Sequence, residues 1–395
     1  MVACSADHVA APGDWFEFRC GTLSVVIVRN ESGELRAFQN VCRHRGNALC
    51  EGSGTGREEL RCRYHRWTWD LHGDLREVPS RKWFGALRND DFGLFPVLVG
   101  EWGRLVFVNF DLGATPLDEY LEGIPSDSAW AKLDEFRCAA MTTTPVACNW
   151  KVVNEGFSET YHVQGLHREL LASMDDLDSP QRIWDHHGVS YQPYGVPSPR
   201  LGSRVTDQEV WESFVVTQGG RMGPECAETR TSMPPPPEVP EGTAMQDAIA
   251  QRIRDYQSQL GVDLSAYDTR AITHLWQYNL FPNATLLINA DLYAVLTSRP
   301  GPTHDQAELV MLYLTRAPSP DSPRATPIDV TLPPENGNLG FVFDQDVSIL
   351  AGMQRGLRQP GLDEIVVGEE EIRIINMHRN LEHYLGLAPG GRLPS

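Results

Sequence analysis

Cysteine is scarce in this chain. Its 395 residues hold eight, Cys4, Cys20, Cys42, Cys50, Cys62, Cys138, Cys148 and Cys226. They are too sparse for a disulfide scaffold and point to a reducing cytoplasm. A close pair of cysteines in that setting reads as a set of metal or cluster ligands. Long apolar runs are also missing, and no stretch reaches membrane-spanning length. The first twenty residues, MVACSADHVAAPGDWFEFRC, lack the basic start and apolar core of a signal peptide. Positive charge is short too: 34 Lys and Arg against 53 Asp and Glu leave a net charge of -19. That balance argues against nucleic acid as partner, since phosphate binding needs a concentrated positive surface. What remains is ordinary globular composition, 41% hydrophobic and 22% charged, in a chain long enough for two cores.

Between Gly21 and Asn40 the chain reads TLSVVIV, RNESGE, LRAFQ, an apolar strand, a polar turn and a second strand. Short strands and tight turns continue to GRLVFVNF at 103–110, with no good helix in the first hundred residues. This pattern suits a small β-sandwich or barrel. Helical signals begin at Thr115-Pro116, ahead of LDEYLEGI, and again near Asn149-Trp150. The boundary is therefore expected near 111–116, giving domains 1–113 and 114–395. Extended segments at 274–298 and 307–317, with helical ones near 344–358 and 369–385, make the second domain α+β with an antiparallel sheet. The stretch MPPPPEVPEG at 233–242 is excluded from helix and inner strand, because each proline lacks a donor and fixes its backbone angle. It is expected to be a loop, over the surface or over a pocket mouth.

The segment NVCRHRGNALCEGSGTGREELRCRYHRW holds Cys42-x-His44, seventeen intervening residues, then Cys62-x-x-His65. Two such pairs present four ligands from two loops. Two thiolates suit one iron of a [2Fe-2S] cluster and two neutral imidazoles the other. The competing reading is a structural zinc site of Cys2His2 type. Zinc fingers usually pair cysteine with cysteine and histidine with histidine, whereas each loop here carries one of each.

These residues resemble the Rieske domain of aromatic-ring-hydroxylating oxygenases, whose motif is C-x-H-R-G followed by C-x-x-H-x-W. Arg45, Gly46 and Trp67 match the additional positions. The resemblance implies an all-β cluster domain followed by a helix-grip catalytic domain. Two positions depart from it: Arg63 and Arg66 stand where the family usually has proline and glycine. The cluster loops thus carry Arg43, Arg45, Arg61, Arg63 and Arg66. Either they attract an acidic electron donor, or they pair with Glu58, Glu59 or Asp70. Cys50, close by, reads as a buried thiol.

The segment NWKVVNEGFSETYHVQGLH, Asn149 to His167, resembles the second hallmark of that family, a helix carrying Glu/Asp-x-x-His-x-x-x-x-His. His162 and His167 would supply two imidazoles and a distant carboxylate the third ligand to Fe(II), leaving positions open for oxygen. Five residues of regular helix turn a side chain by about 140°, so the helix must break between the histidines. Gly165 offers that break. Taken alone, two histidines on an amphipathic helix are more often core or surface residues. For the carboxylate, the resemblance selects Asp346 in GFVFDQDVSILAGMQRGL, with Asp344 as runner-up. Helical continuation would place Ile349, Leu350 and Met353 on one apolar face. The plainer reading is that both aspartates favour the helix N-terminus.

Glu159 lies three residues before His162 and would hold that imidazole in the tautomer that leaves its other nitrogen for iron. By the resemblance it also reaches His65 of the partner subunit, which implies a closed, three-fold homotrimer. Glutamate here resembles the branch of carnitine, choline and stachydrine oxygenases, and Gly156 replaces an asparagine common in ring-dihydroxylating relatives. A quaternary ammonium substrate would want an aromatic cage. Trp276, Tyr278 and Phe281 are candidates, since 276 and 278 share one face of a strand; the alternatives are plain core, or an apolar pocket for a ring or methoxy compound.

The resemblance implies a terminal oxygenase that takes electrons from NAD(P)H through a flavin and iron–sulfur reductase or a ferredoxin. The other readings are an electron carrier or ligand-binding protein without oxygenase activity, and a zinc-stapled structural protein. Relatives usually carry some tens of residues before the cluster domain, whereas here the hairpin starts almost at Met1. Either this branch lacks that segment or the start is late. EEEIRIINMHRNLEHYLG resembles the family's closing amphipathic helix, with Ile372, Ile375 and Leu381 inward and His378 and His383 structural.

Overall fold

The computed structural model describes residues 1–227, 233–237, 239, 242–319, 321–333 and 339–387. The chain forms two compact units, Met1–Tyr120 with Pro323–Pro327, and Leu121–Ser322 with Ile328–Ser395. The division follows Tyr120 rather than residue 113, because the one-turn helix Leu117–Tyr120 stays with the first unit. Leu117 lies against the Leu98–Trp102 strand so closely that a Cβ on Gly100 would come within 2.8 Å of it.

The first unit is built from three small sheets. The hairpin Leu23–Arg29 and Leu35–Gln39 pairs in the register Val25↔Gln39 to Arg29↔Leu35. Its turn closes where the Asn30 N–H donates to the Glu34 carbonyl (2.9 Å). Trp15–Cys20 and Ser53–Gly54 complete that sheet; Val2–Ser5, Leu105–Asn109 and Leu98–Trp102 form a second; Leu60–Arg61, Thr68–Trp69 and Leu75–Glu77 form a third. Helical structure before residue 100 is limited to single 3-10 turns at Ala6–Val9, Arg81–Trp83 and Asn89–Phe92. One core gathers Trp15, Phe38, Leu60, Trp69 and Leu75 together with Cys42 and Cys62. Each fully buried large side chain contributes roughly 1.5–3 kcal/mol, and the two cysteines are packed within this core.

The second unit is an eight-stranded sheet in the order Gln181–Ile183, Gly188–Gln192, Leu275–Leu280, Ala284–Ile288, Leu292–Pro300, Ala307–Arg316, Phe136–Val146, Ile328–Thr331. Every pairing is antiparallel except the last, where Ile328–Thr331 runs parallel to Phe136–Val146. The strand Phe136–Val146 escaped the sequence reading, because a bulge between Cys138 and Ala140 interrupts its period of two. The helices Asp207–Gln218 and Met245–Gln259 were also not anticipated; they enclose a core of Trp211, Phe214, Ile249 and Ile253.

Residues 233–237 and 239 have no regular structure, as their prolines require, and 238, 240 and 241 lie outside the described residues. The loop is tied down where Trp211 Nε1 donates to the Pro234 carbonyl (2.8 Å). The closing helix Ile372–Tyr384 is present with a shifted inward face: Arg373, Ile374 and Met377 are buried, while Ile372, Ile375 and Leu381 are half-buried. His378 holds Glu155 at 2.7 Å, a structural contact. Among the described residues no helix is long and apolar enough to cross a membrane.

Candidate functional site

Two loops of the first unit fold alike. The Cys42 N–H donates to the Asn47 carbonyl (2.8 Å) and the Gly46 N–H to the Cys42 carbonyl (3.0 Å). Twenty residues on, the Cys62 N–H donates to the Trp67 carbonyl (2.9 Å) and the Arg66 N–H to the Cys62 carbonyl (2.9 Å). Both turns need a left-handed residue at the fifth position, met by Gly46 at φ 76 and Arg66 at φ 60. Glycine adopts that conformation freely and arginine does not.

The turns bring His44 and His65 together, ring centroids 4.6 Å apart and planes at 72°. Trp67 stacks on His44 at 5.1 Å. Cys42 and Cys62 are buried free thiols. Nδ1 of His44 is buried and has no hydrogen-bond partner among the described residues. Burial, then the charges of His65 and Arg45, push the His44 imidazole toward its neutral form. An orphaned buried nitrogen costs about 1–3 kcal/mol unless something takes its lone pair. Two thiols and two imidazoles, one with a free buried lone pair, fit a [2Fe-2S] cluster.

The loop arginines make local contacts, and of the carboxylates expected as partners only Glu59 takes one of them. Arg61 pairs with Glu59 (2.5 Å) and Arg63 with Glu51 (2.6 Å), while Asp70 is taken by Arg76. Arg43 lies 4.0 Å over the Phe95 ring, and Arg45 lies 5.2 Å over Tyr64 and donates to its hydroxyl. Arg45, Arg63 and Arg66 are exposed. Cys50 is the buried thiol expected, and burial pushes it up to about 11 against the opposing charge of Arg57.

In the second unit the helix Trp150–Gly156 stops at Phe157, so Glu159 does not share a helical face with His162. It reaches His162 from an irregular segment instead. Glu159 Oε2 accepts the His162 backbone N–H (3.0 Å), and Oε1 accepts from His162 Nδ1. The break between the histidines is also not at Gly165, which lies inside the single turn Val163–Leu166. His162 and His167 cap that turn at its two ends, and the backbone leaves helical geometry at His167, φ -110 and ψ 50.

The two Nε2 atoms converge on Asp346 Oδ1, at 3.6 Å from His162 and 2.9 Å from His167. Ligand atoms of the three all lie within 4.8 Å of one another, and no other such group is found among the described residues. Burial pulls the His162 imidazole down, but the Glu159 and Asp346 carboxylates outweigh it and raise it overall. A field that favours a proton on that ring also favours a metal cation, so the trio fits Fe(II). Asp344 has the plainer role, accepting the Leu339 N–H (3.0 Å) at the start of the helix Phe341–Gly356. On that helix Leu350 is buried, one turn after Asp346, but Ile349 and Met353 are 39% and 40% exposed, so the three do not share a buried face.

Three residues of the site were missed. Gln345 Oε1 takes His167 Nδ1 (2.8 Å), which directs Nε2 to Asp346; its own amide nitrogen donates to Glu169 (3.2 Å) and so fixes which way the amide points. Gln277 and Asn279 donate to the Phe157 carbonyl (3.0 and 2.9 Å), so the face of the Leu275–Leu280 strand that meets this segment is amide-lined. Trp276 and Tyr278 occupy the opposite face. Tyr278 is fully buried and donates to Asp127 (2.9 Å), and Trp276 packs on Trp130 at 4.4 Å. Phe281 stacks on Tyr384 at 5.4 Å. The three aromatics form no cage. The place of Gln345 between Asp344 and Asp346, and the polar alternation in Trp-Gln-Tyr-Asn, were the available signals.

Residues 130–387 match the family described as ring hydroxylating alpha subunit (catalytic domain), and residues 1–88 match the Rieske [2Fe-2S] domain. The chain belongs to the ring-hydroxylating alpha subunit family. Both clusters of candidate ligands in this alpha-subunit relative fall inside the matched segments. It is 28% identical to the glycine betaine monooxygenase oxygenase subunit of Pseudomonas aeruginosa over 241 residues, 56% of this chain and 55% of that protein. It is 32% identical to the carnitine monooxygenase oxygenase subunit of Escherichia coli over 179 residues, 45% of this chain and 47% of that protein. The chain spans about half the length of the curated relatives it matches. The quaternary ammonium Rieske monooxygenase CntA, solved with L-carnitine, superposes with TM-score 0.66 at 17% identity, over 97% of this chain and 88% of that one. Naphthalene 1,2-dioxygenase from Rhodococcus sp. gives 0.61 at 18%, over 98% and 88%. These two likenesses are of fold.

Proposed function

We propose that this chain is the terminal oxygenase component of a Rieske non-haem iron system, hydroxylating or demethylating a small organic substrate. The observation that carries this reading is the convergence of His162, His167 and Asp346, whose ligand atoms all lie within 4.8 Å of one another. An electron carrier would have no use for that trio. When bound, a [2Fe-2S] cluster at Cys42, His44, Cys62 and His65 supplies single electrons, and a mononuclear Fe(II) at the trio supplies oxygen activation.

The chain's own part is positioning. Glu159 and Gln345 take the Nδ1 protons of His162 and His167, which fixes both tautomers with Nε2 inward. Asp346 would add the anionic ligand to the two imidazoles. Electrons come from NAD(P)H through a reductase or ferredoxin partner. Glu159 then links His162 to His65 of the partner subunit in a closed homotrimer. Support comes from the relative whose electron transfer is inter-subunit. Quaternary amines and aromatic compounds are the two substrate classes to test, since relatives of both kinds match.

The test is a single turnover. The Fe(II)-loaded, chemically reduced protein is exposed to labelled dioxygen with glycine betaine, carnitine and a set of simple arenes. The proposal expects labelled product from one class, with cluster oxidation accelerated by that substrate. Cluster oxidation at one rate in wild type and in the His162→Ala, His167→Ala variant, with every compound returned unchanged, means an electron carrier.

A further inference from the structure

The closing helix carries a buried cation, Arg373, that touches none of the three candidate iron ligands. Arg373, in Ile372–Tyr384, is 3% exposed; its Nε and Nη1 donate to neutral amides, and its Nη2 is buried with no hydrogen-bond partner among the described residues. Nε donates to Gln181 Oε1 (2.9 Å), and Nη1 donates to Gln277 Oε1 (3.0 Å) and Asn279 Oδ1 (2.5 Å). Gly188 leaves room for it, since a Cβ there would meet Arg373 Cγ at 2.9 Å. Burial pulls the guanidinium down to about 9, partly offset by the charge of Glu159, so it remains a cation at neutral pH.

A guanidinium has donors and no acceptor. Both amides must therefore turn their oxygens toward Arg373 and their NH2 groups away from it. Those NH2 groups converge on one atom, the Phe157 carbonyl oxygen, at 3.0 Å from Gln277 and 2.9 Å from Asn279. In a continuing helix that oxygen would accept the N–H of Tyr161. Occupied from the sheet instead, it ends the helix at Phe157 and frees the next residues to turn. Asn279 Nδ2 also donates to Ser158 Oγ (3.1 Å), which in turn donates to the Asn154 carbonyl (2.7 Å). Glu159 and His162 follow immediately.

We propose that Arg373 is a positioning residue of the mononuclear site, orienting Gln277 and Asn279 so that they hold the Phe157 carbonyl and aim Glu159 and His162. The inference rests on the reading of His162, His167 and Asp346 as metal ligands. No sequence motif announced it, because the contact joins three segments far apart in the chain.

The experiment is anaerobic Fe(II) and Co(II) titration of the cluster-bearing protein as wild type, Arg373→Met, Arg373→Lys and Asn279→Asp, with the cluster spectrum as internal control. Arg373→Met is expected to weaken Fe(II) binding by about ten-fold or more and to shift the Co(II) ligand-field bands. Arg373→Lys is expected to recover most of the loss. Asn279→Asp keeps a partner for Arg373 but turns an oxygen toward the Phe157 carbonyl, so a comparable loss is expected without loss of fold. Wild-type affinity and bands in Arg373→Met overturn the proposal. If that variant does not fold, the same result in Asn279→Asp overturns it. A wild type that retains neither metal refutes the site itself, before any variant is compared.

Discussion

Arg66 holds the backbone conformation of Gly46. The two residues occupy equivalent positions in matching turns, at φ 60 and φ 76, and only one of them is free of a Cβ.

Arg66→Gly should therefore stabilise the cluster unit by about 1 kcal/mol, the usual cost of a left-handed non-glycine residue less the added freedom of the unfolded chain. Denaturant titration followed by the visible spectrum of the cluster measures it. A less stable variant would mean that the Arg66 side chain makes a compensating contact.

Gln345 orients His167 as Glu159 orients His162. Gln345→Leu should lower Fe(II) affinity by about ten- to a hundred-fold and leave the cluster spectrum untouched. Equilibrium dialysis against a chelator reads the affinity directly. Unchanged affinity would remove Gln345 from the site.

Exposed Arg45, Arg63 and Arg66 surround the cluster ligands in a chain of net charge -19. Electron transfer from an acidic donor should slow several-fold between low and high salt, and an Arg45→Glu, Arg63→Glu variant should be slow and nearly salt-independent. Stopped-flow reduction of the cluster gives both rates. A flat profile in the wild type would leave these arginines only their local contacts, such as Arg63 with Glu51 and Arg45 with Tyr64.

His274 is pulled down to about 4, by burial first and by Arg270 second. Its unfolded value is about 6.5, so the folded state binds fewer protons between these values. Its contribution to stability is complete above pH 6.5 and is lost as pH falls toward 4. The wild type should lose more stability over that interval than His274→Gln. Equal slopes in denaturant titrations at pH 7, 6 and 5 would contradict the assignment.

The candidate cluster ligands were legible because four residues in two short loops carry their own chemistry, and the loops form locally. Asp346 was legible only through resemblance, since nothing in its neighbourhood distinguishes it from Asp344 until the fold brings it to His167. The path of Glu159 was misread for a physical reason: the helix ends at Phe157 by contacts from a strand more than a hundred residues away. The aromatic cage failed on parity. Alternation showed correctly that Trp276 and Tyr278 share a face, but not which face meets the iron-site segment.

The central claim is that one chain holds a cluster and a separate iron. Anaerobic iron and sulfide analysis with a visible spectrum, on wild type and the His162→Ala, His167→Ala variant, tests it most directly. The account predicts about three irons and two sulfides per chain, falling to about two irons in the variant with the cluster spectrum unchanged. Two irons in both proteins, with added Fe(II) not retained by the wild type, would contradict it.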